Sequence, residues 1–192
     1  MEAQPTAVFI SGGGRTLANL IRHRDDHGLP IDIRLVISSR EDAGGVDIAR
    51  DAGIPTMAVR KSRDIDDATF SRVMFDPVRA AGCRWVVMAG YLKHVMIPDD
   101  FSDRVINIHP SLLPAFGGPG MYGERVHRAA IDKGVQVSGC TVHRVDNHYD
   151  NGPILLQRWC EVTEDDDAGT LAAKVFRLEC EALPTALKRL WS

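Results

Sequence analysis

The chain offers little to a metal or to a disulfide framework. Its four cysteines, Cys83, Cys140, Cys160 and Cys180, are scattered along 192 residues. No pair has CxxC spacing, and no His/Cys cluster has the spacing of a zinc site. A disulfide framework is unusual in a domain this long, so four buried free thiols in a reducing cytosol are expected. No apolar run approaches the ~20 residues of a membrane helix. The N-terminal stretch Met1-Glu2-Ala3-Gln4-Pro5-Thr6 has no basic segment of the kind that opens a signal peptide. The formal net charge is only −3, which gives neither nucleic acid nor an anionic membrane a strong reason to bind. Internal repeats and low-complexity segments are absent. What remains is 44% hydrophobic and 26% charged residues, the balance of a soluble globular protein with a real core. One domain over residues 1–192 is expected.

Ala7-Val8-Phe9-Ile10 is a continuous apolar run that reads as a strand covered on both faces. Ser11-Gly12-Gly13-Gly14-Arg15-Thr16 interrupts it, and Leu17, Leu20 and Ile21 then recur at helical spacing. In this strand, glycine turn and helix, the glycines admit close backbone approach and the free N–H groups at the helix start favour an anion such as phosphate. Arg15 could add a charge-assisted bond. Many parallel α/β units use such a turn purely for geometry, and that reading stays open. The dinucleotide fingerprint GxGxxG is not met, because Leu17 stands where the third glycine belongs.

Ile31 to Ile37 reads as a second strand, a helix follows near Gly45 to Ala52, and Thr56 to Val59 is a short third strand. Asp66 to Ala81 is helical in pattern, with a kink or break expected at Pro77. Trp85 to Ala89 is a fourth strand. The alternation predicts a parallel sheet with right-handed crossovers and a ligand site at the carboxyl ends of its strands. Gly12 to Thr16, Gly90 to Val95 and Asn107 to Pro114 all follow strands, so all three are expected at that edge. Farther on, Glu124 to Lys133 is amphipathic, with Val126, Ala129, Ala130 and Ile131 inward. Val137 to Val145 and Ile154 to Val162 are strands joined by a connection short enough to make them antiparallel. Glu164 to Asp167 precede a final helix from Ala168 to about Trp191. Those acids are most simply caps and dipole partners, with a metal site a distant second.

Val105-Ile106-Asn107-Ile108-His109-Pro110-Ser111-Leu112-Leu113-Pro114 is the stretch richest in chemistry. Asn107 and His109 are two residues apart, so in a strand they face the same side, and Pro110 ends the ladder. An amide donor beside a group that titrates near neutrality suits a carbonyl that gains and then loses negative charge. A strand end whose Asn and His merely cap the next loop is the plainer alternative.

This string, with Asp150-Asn151-Gly152-Pro153 downstream, resembles the folate-dependent formyltransferases. Ala89-Gly90, Gly139, Thr141-Val142-His143 and Glu179 match in place as well. The resemblance runs from about Ala7 to Leu190, and the short length and SGGG loop resemble the members that act on a ribonucleotide amine. It implies a three-layer Rossmann-like α/β fold, mostly parallel with an antiparallel C-terminal portion. The implied reaction, a step of de novo purine biosynthesis in the cytoplasm, moves the formyl group of 10-formyltetrahydrofolate to the amine of 5-phosphoribosylglycinamide. The formyl donor is a co-substrate, and no metal is required. The partners implied are small molecules, with no nucleic acid and no membrane, and the protein would be a monomer or homodimer.

Catalytic roles carry over to Asn107, His109 and Asp150. Asn107 would donate to the formyl oxygen. His109, if protonated, would donate there too and manage protons, and Asp150 would favour its imidazolium and position a relay water. The substrate phosphate would sit at Gly12, Gly13, Gly14, Arg15 and Thr16. Glu179 would hold the glycinamide amine, although alone it reads as a solvated helix carboxylate. Folate would lie against Leu92, Lys93, His94, Val95, Asn107 and the loop Asp146, Asn147, His148, Tyr149, Asp150, bound largely by backbone groups. His143, mid-strand, reads as a core histidine or one that supports the reacting groups.

Some positions depart from the pattern. Arg15-Thr16 replace a common Ser-Asn, Leu92-Lys93 replace Met-Arg, Gly120-Met121-Tyr122-Gly123 replace a Gly-Leu-His version, and Asp67 is acidic where several relatives place an arginine on the folate tail. Larger relatives that act on methionyl-tRNA or hydrolyse formyltetrahydrofolate carry an added domain, so the length favours the small members. A different small amine as acceptor, and a nucleotide-binding module without catalysis, are the alternatives. The complete Asn, His and Asp set weighs against the second.

Overall fold

The structure is a computed structural model that describes residues 2–62 and 64–192; Met1, which opens the N-terminal stretch read above, and Arg63 lie outside them. Among the described residues the elements follow one another as β1 (Gln4–Ile10), α1 (Arg15–His27), β2 (Ile31–Ser38), α2 (Gly44–Asp51), β3 (Thr56–Ala58), α3 (Asp67–Ala80), β4 (Trp85–Met88), a 3-10 turn (Asp99–Phe101), β5 (Val105–His109), α4 (Glu124–Lys133), β6 (Val137–Arg144), β7 (Ile154–Glu161) and α5 (Ala168–Leu190). The strand order is β3-β2-β1-β4-β5-β6-β7. The β1–β2, β1–β4 and β2–β3 pairings are parallel and β6–β7 is antiparallel, the mixed Rossmann-like α/β sheet expected. The chain divides into two compact units, one running to Ile106 and including Leu190–Ser192, the other Asn107–Arg189.

In the first unit, neighbouring residues of β1 show why helices lie on both faces. Phe9 and Ile10 are adjacent, so their side chains leave the strand on opposite sides. Phe9 meets Phe75 of α3 edge-on, with ring centroids 5.9 Å apart. Ile10 instead lies against α2, where a Cβ added to Gly45 would come within 2.6 Å of its Cδ1. The sheet is therefore sandwiched, with β1 buried from Thr6 to Ile10. The order turns back at β1: β2 and β3 lie to one side and β4 to the other. The crevice beyond the carboxyl ends of β1 and β4 is where such sheets receive ligands.

The helix α3 runs through Pro77 without the expected break. Pro77 lies near the C-terminal end, so only the Val73 carbonyl loses its partner, and Val73 is on the exposed side of the helix. In the second unit, α4 has the bounds read from its periodicity, but its inner face differs. Val126 and Ala130 are buried, Ala129 and Ile131 are half-buried, and His127 is buried in their place. Of the acids before α5, Asp167 caps the helix, while Asp166 closes the turn before it and pairs with a lysine of α5. Asp167 Oδ1 accepts from Thr170 N–H at 2.7 Å, while Asp166 Oδ2 accepts from Thr163 N–H at 2.9 Å and binds Lys174 Nζ at 2.5 Å. None of the four cysteines is in a disulfide; Cys83 and Cys140 are buried as expected, but Cys160 and Cys180 are only half-buried. Among the described residues no helix is long and apolar enough to cross a membrane, and no group of three or more His, Cys, Asp and Glu could hold a metal ion.

Candidate active site

In the second unit, the end of β5 presents Asn107 and His109 on one side of the strand, and β6 and the loops around them supply partners. His143 on β6 is 1% exposed. Its Nδ1 lies 2.9 Å from the Arg144 carbonyl and its Nε2 lies 3.1 Å from Asn107 Nδ2. A carbonyl only accepts, so Nδ1 carries the proton. Burial holds the ring's pKa below its ordinary value, against the opposing pull of the Arg144 carbonyl and Asp150. The ring is therefore neutral and Nε2 offers a lone pair. Only the amide nitrogen of Asn107, not its oxygen, can face that lone pair, which fixes the orientation of the amide. One N–H of Asn107 is held by His143, and the second remains for a ligand.

His109 is 4% exposed. Its Nε2 donates to the Phe116 carbonyl at 2.9 Å, and Nδ1 lies 3.5 Å from Asp150 Oδ1. Asp150 Oδ2 in turn accepts from Gly118 N–H at 2.9 Å, and Oδ1 is 3.8 Å from His143 Nε2. One carboxylate thus faces both imidazoles while a backbone amide holds its other oxygen. Phe116 and Asp150 both take left-handed backbone, with φ of 54° and 50°. Gly117 lets their loops meet, since a Cβ there would come within 2.6 Å of Leu113 Cδ2 and 3.2 Å of Asp150 Cβ. The loop carrying the Phe116 carbonyl is braced from β6 and β7. Thr141 Oγ1 donates to the Ser111 carbonyl at 2.7 Å and accepts from Leu113 N–H at 3.0 Å, while Gln157 Nε2 donates to the Leu113 carbonyl at 3.0 Å. Both nitrogens of His109 are therefore directed at protein groups. Direct donation from His109 to a formyl oxygen would require Nε2 to leave Phe116, whereas Asp150 and the Nδ1 atom are already placed to hold a proton between them.

Elsewhere in this unit, Asp146 shapes the loop before Asp150, accepting from His148 N–H at 2.8 Å and Asn151 Nδ2 at 2.9 Å. Asn147, His148 and Tyr149 are exposed. Glu179 is half-buried on α5, with Cys140 of β6 within reach of its charge. His127, which periodicity alone did not single out, is buried with Nδ1 unpartnered. Burial and the nearby His109 keep its pKa low.

In the first unit, Ser11 joins the loops that follow three strands. Its Oγ accepts from Ser39 Oγ at 2.7 Å, after β2, and from Leu92 N–H at 2.9 Å, after β4. Sequence alone gave Ser11 no role, because a hydroxyl's partners are set only by topology. The glycines divide by purpose. Gly14 has φ 76° and a Cβ there would lie 2.4 Å from Gly45 Cα, so it serves backbone packing against α2. Gly12 and Gly13 are exposed with nothing within 4 Å of an added Cβ, leaving room beside the start of α1. Arg15 and Thr16 open that helix. In the segment after β4, Leu92 and Lys93 are exposed, His94 is half-buried and Val95 is buried, so the Val95 side chain belongs to the core.

The profile of the formyl transferase family matches residues 5–187. The chloroplastic phosphoribosylglycinamide formyltransferase of Vigna unguiculata is 40% identical over 177 residues, which are 90% of this chain and 56% of that protein. The chain thus spans little more than half the length of that relative. The phosphoribosylglycinamide formyltransferase of Bacillus subtilis is 30% identical over 186 residues, 96% of this chain and 93% of that one. The crystal structure of glycinamide ribonucleotide transformylase 1 from Symbiobacterium toebii superposes with a TM-score of 0.89 at 34% identity, covering 97% of this chain and 86% of that one.

Proposed function

The chain belongs to the formyl transferase family, and from that premise we propose that it moves the formyl group of 10-formyltetrahydrofolate to the amine of 5-phosphoribosylglycinamide. The neutral amine attacks the formyl carbon, a C–N bond forms, and the carbonyl electrons move to oxygen. Asn107, its amide oriented by His143, donates its second N–H to that oxyanion. Loss of one such donor typically costs roughly 100- to 1000-fold in turnover. The tetrahedral centre then collapses and expels the folate nitrogen. The amine gives up one proton and the folate nitrogen takes one, so the reaction neither consumes nor releases a proton overall. Asp150 and Nδ1 of His109, 3.5 Å from its carboxylate, carry that proton between them, directly or through one water. In this reading Gly12, Gly13 and the start of α1 receive the nucleotide phosphate, Glu179 receives the glycinamide end, and the segments 92–95 and 146–150 receive the folate.

The observation that carries the reading is the Asn107–His143 contact at 3.1 Å. A nucleotide-binding module would have no use for an amide held this way beside a His and Asp pair. The test is folate release followed by absorbance, with 5-phosphoribosylglycinamide set against a panel of other amines. Turnover with the glycinamide is expected; turnover confined to another amine would overturn the assignment. His109→Ala is expected to lower turnover by orders of magnitude while nucleotide affinity changes little.

A further inference from the structure

Lys61 lies between β3 and α3 in the first unit, and its ammonium is held from several sides. Nζ is 2.6 Å from Asp67 Oδ1, donates to the His94 carbonyl at 3.2 Å, and sits 4.9 Å from the centre of the Phe70 ring. A surface lysine usually keeps its rotamer freedom in water, and fixing it costs entropy. Here the side chain is only 23% exposed, so a built arrangement holds it. Asp67 and Phe70 both belong to the first turns of α3, whereas His94 lies within the segment 92–95. The other end of that segment is fixed by Leu92 N–H on Ser11.

We propose that Lys61 is a positioning residue for the formyl donor: it fixes the backbone of the segment 92–95 at His94, and Asp67 keeps the ammonium in place. The proposal rests on the assignment of that segment to the folate. The Asp67 carboxylate already neutralises Lys61, and the lysine holds it below the ordinary carboxylate range through a hydrogen bond and its charge. The pair therefore offers no net positive charge to the carboxylates of a folate tail. Its work is mechanical, anchoring a main-chain strip whose own N–H and C=O groups recognise the ring. This also gives the acidic residue at position 67 a purpose. In place of a side chain that contacts the ligand, the chain has one that braces the ligand's binding segment.

Lys61→Met keeps the aliphatic stem over Phe70 and removes the charge-assisted bond. The KM for 10-formyltetrahydrofolate is expected to rise roughly 5- to 20-fold, with kcat and the KM for the nucleotide each within about twofold of the parent. Lys61→Arg retains a cation able to reach both oxygens and should recover most of the loss, and Asp67→Asn should show a smaller shift in the same direction. Calorimetric titration with a non-reactive folate analogue should show the same weakening for Lys61→Met without turnover. An unchanged KM for the donor, or a parallel rise in both KM values, would overturn the proposal. Should the parent protein turn over no 5-phosphoribosylglycinamide, the functional assignment fails; the analogue titration still decides whether Lys61 braces a folate segment.

Discussion

Replacing His143 with leucine isolates the device that orients Asn107. The substitution keeps an apolar side chain of similar bulk in the β6 position but strands two partners, the Asn107 Nδ2–H that Nε2 accepts at 3.1 Å and the Arg144 carbonyl that Nδ1–H reaches at 2.9 Å. Each buried polar group left without a partner costs about 1–3 kcal/mol, so a loss of about 2–6 kcal/mol in stability is expected for the two. The catalytic effect is separate. A neutral hydrogen bond of about 1.5 kcal/mol that no longer aims the amide lowers kcat about tenfold. Complete rotation of the amide sets the ceiling, roughly 100- to 1000-fold. His143→Gln restores an acceptor and should recover part of the rate. Steady-state folate release gives kcat and KM, and thermal unfolding gives the stability term. A Leu variant that turns over within twofold of the parent, when Asn107→Ala is severely impaired, would refute the orienting role. The pH dependence follows from the same ring. Its folded pKa is depressed by burial, so the unfolded chain binds the extra proton more readily. The stability contributed by neutral His143 is complete above the ordinary value of about 6.5. It is lost as pH falls through the lower, folded value, and the leucine variant should lack that loss.

Gly14→Ala forces a Cβ to within 2.4 Å of Gly45 Cα at φ 76°, and is expected to cost at least about 3 kcal/mol, or roughly 6–12 °C in Tm. Gly12→Ala and Gly13→Ala, with open space at both positions, should melt within about 1 kcal/mol of the parent and raise the KM for the nucleotide alone. A Gly14 variant as stable as the Gly12 variant would contradict the division. Asp166→Asn removes the pairing with Lys174 and weakens the turn closed on Thr163, for about 1–2 kcal/mol at neutral pH. Because those bonds hold the Asp166 pKa well below the ordinary carboxylate range, the gap between variant and parent in a pH-resolved denaturation series should hold above about pH 4, the ordinary carboxylate value, and narrow progressively as pH falls from there toward the lowered folded value. A constant gap across the series would count against the pairing. Burial pushes the Cys83 thiol up to about 11 and the Cys140 thiol up to about 12. In native iodoacetamide labelling read by mass spectrometry, Cys160 and Cys180 should therefore react before either; early modification of Cys140 would contradict its burial.

Periodicity and punctuation carried most of the secondary structure, since local signals are set by neighbours in sequence. The bounds of α4 and the start of β2 at Ile31 coincide with their patterns, and the two-residue spacing of Asn107 and His109 already placed both on one side of a strand. Tertiary choices were less legible. Pro77 looked like a break because its missing N–H is a local fact, whereas the exposure of the Val73 carbonyl's side of the helix is not. His127 took an inward position where Ala129 and Ile131 were expected, a choice made by the neighbours of α4. Ser11 and Ser39 carried no signal, because a hydroxyl discloses its partners only when three strand ends are neighbours. The engagement of His109 with the Phe116 carbonyl depends on a left-handed residue seven positions away, which no side-chain motif encodes.

The Ser11 hydroxyl sets a rule for anyone who would re-engineer this scaffold. Loops after parallel strands are commonly treated as exchangeable parts on a fixed frame. Here those following β1, β2 and β4 share one oxygen, through Ser39 Oγ and Leu92 N–H. A graft that removes Ser11 strands two donors, the Ser39 hydroxyl and Leu92 N–H, and one that removes Ser39 deprives Ser11 Oγ of a donor. The three therefore form a single cassette, and specificity transplants into this chain should carry Ser11, Ser39 and the main chain at Leu92 as a set.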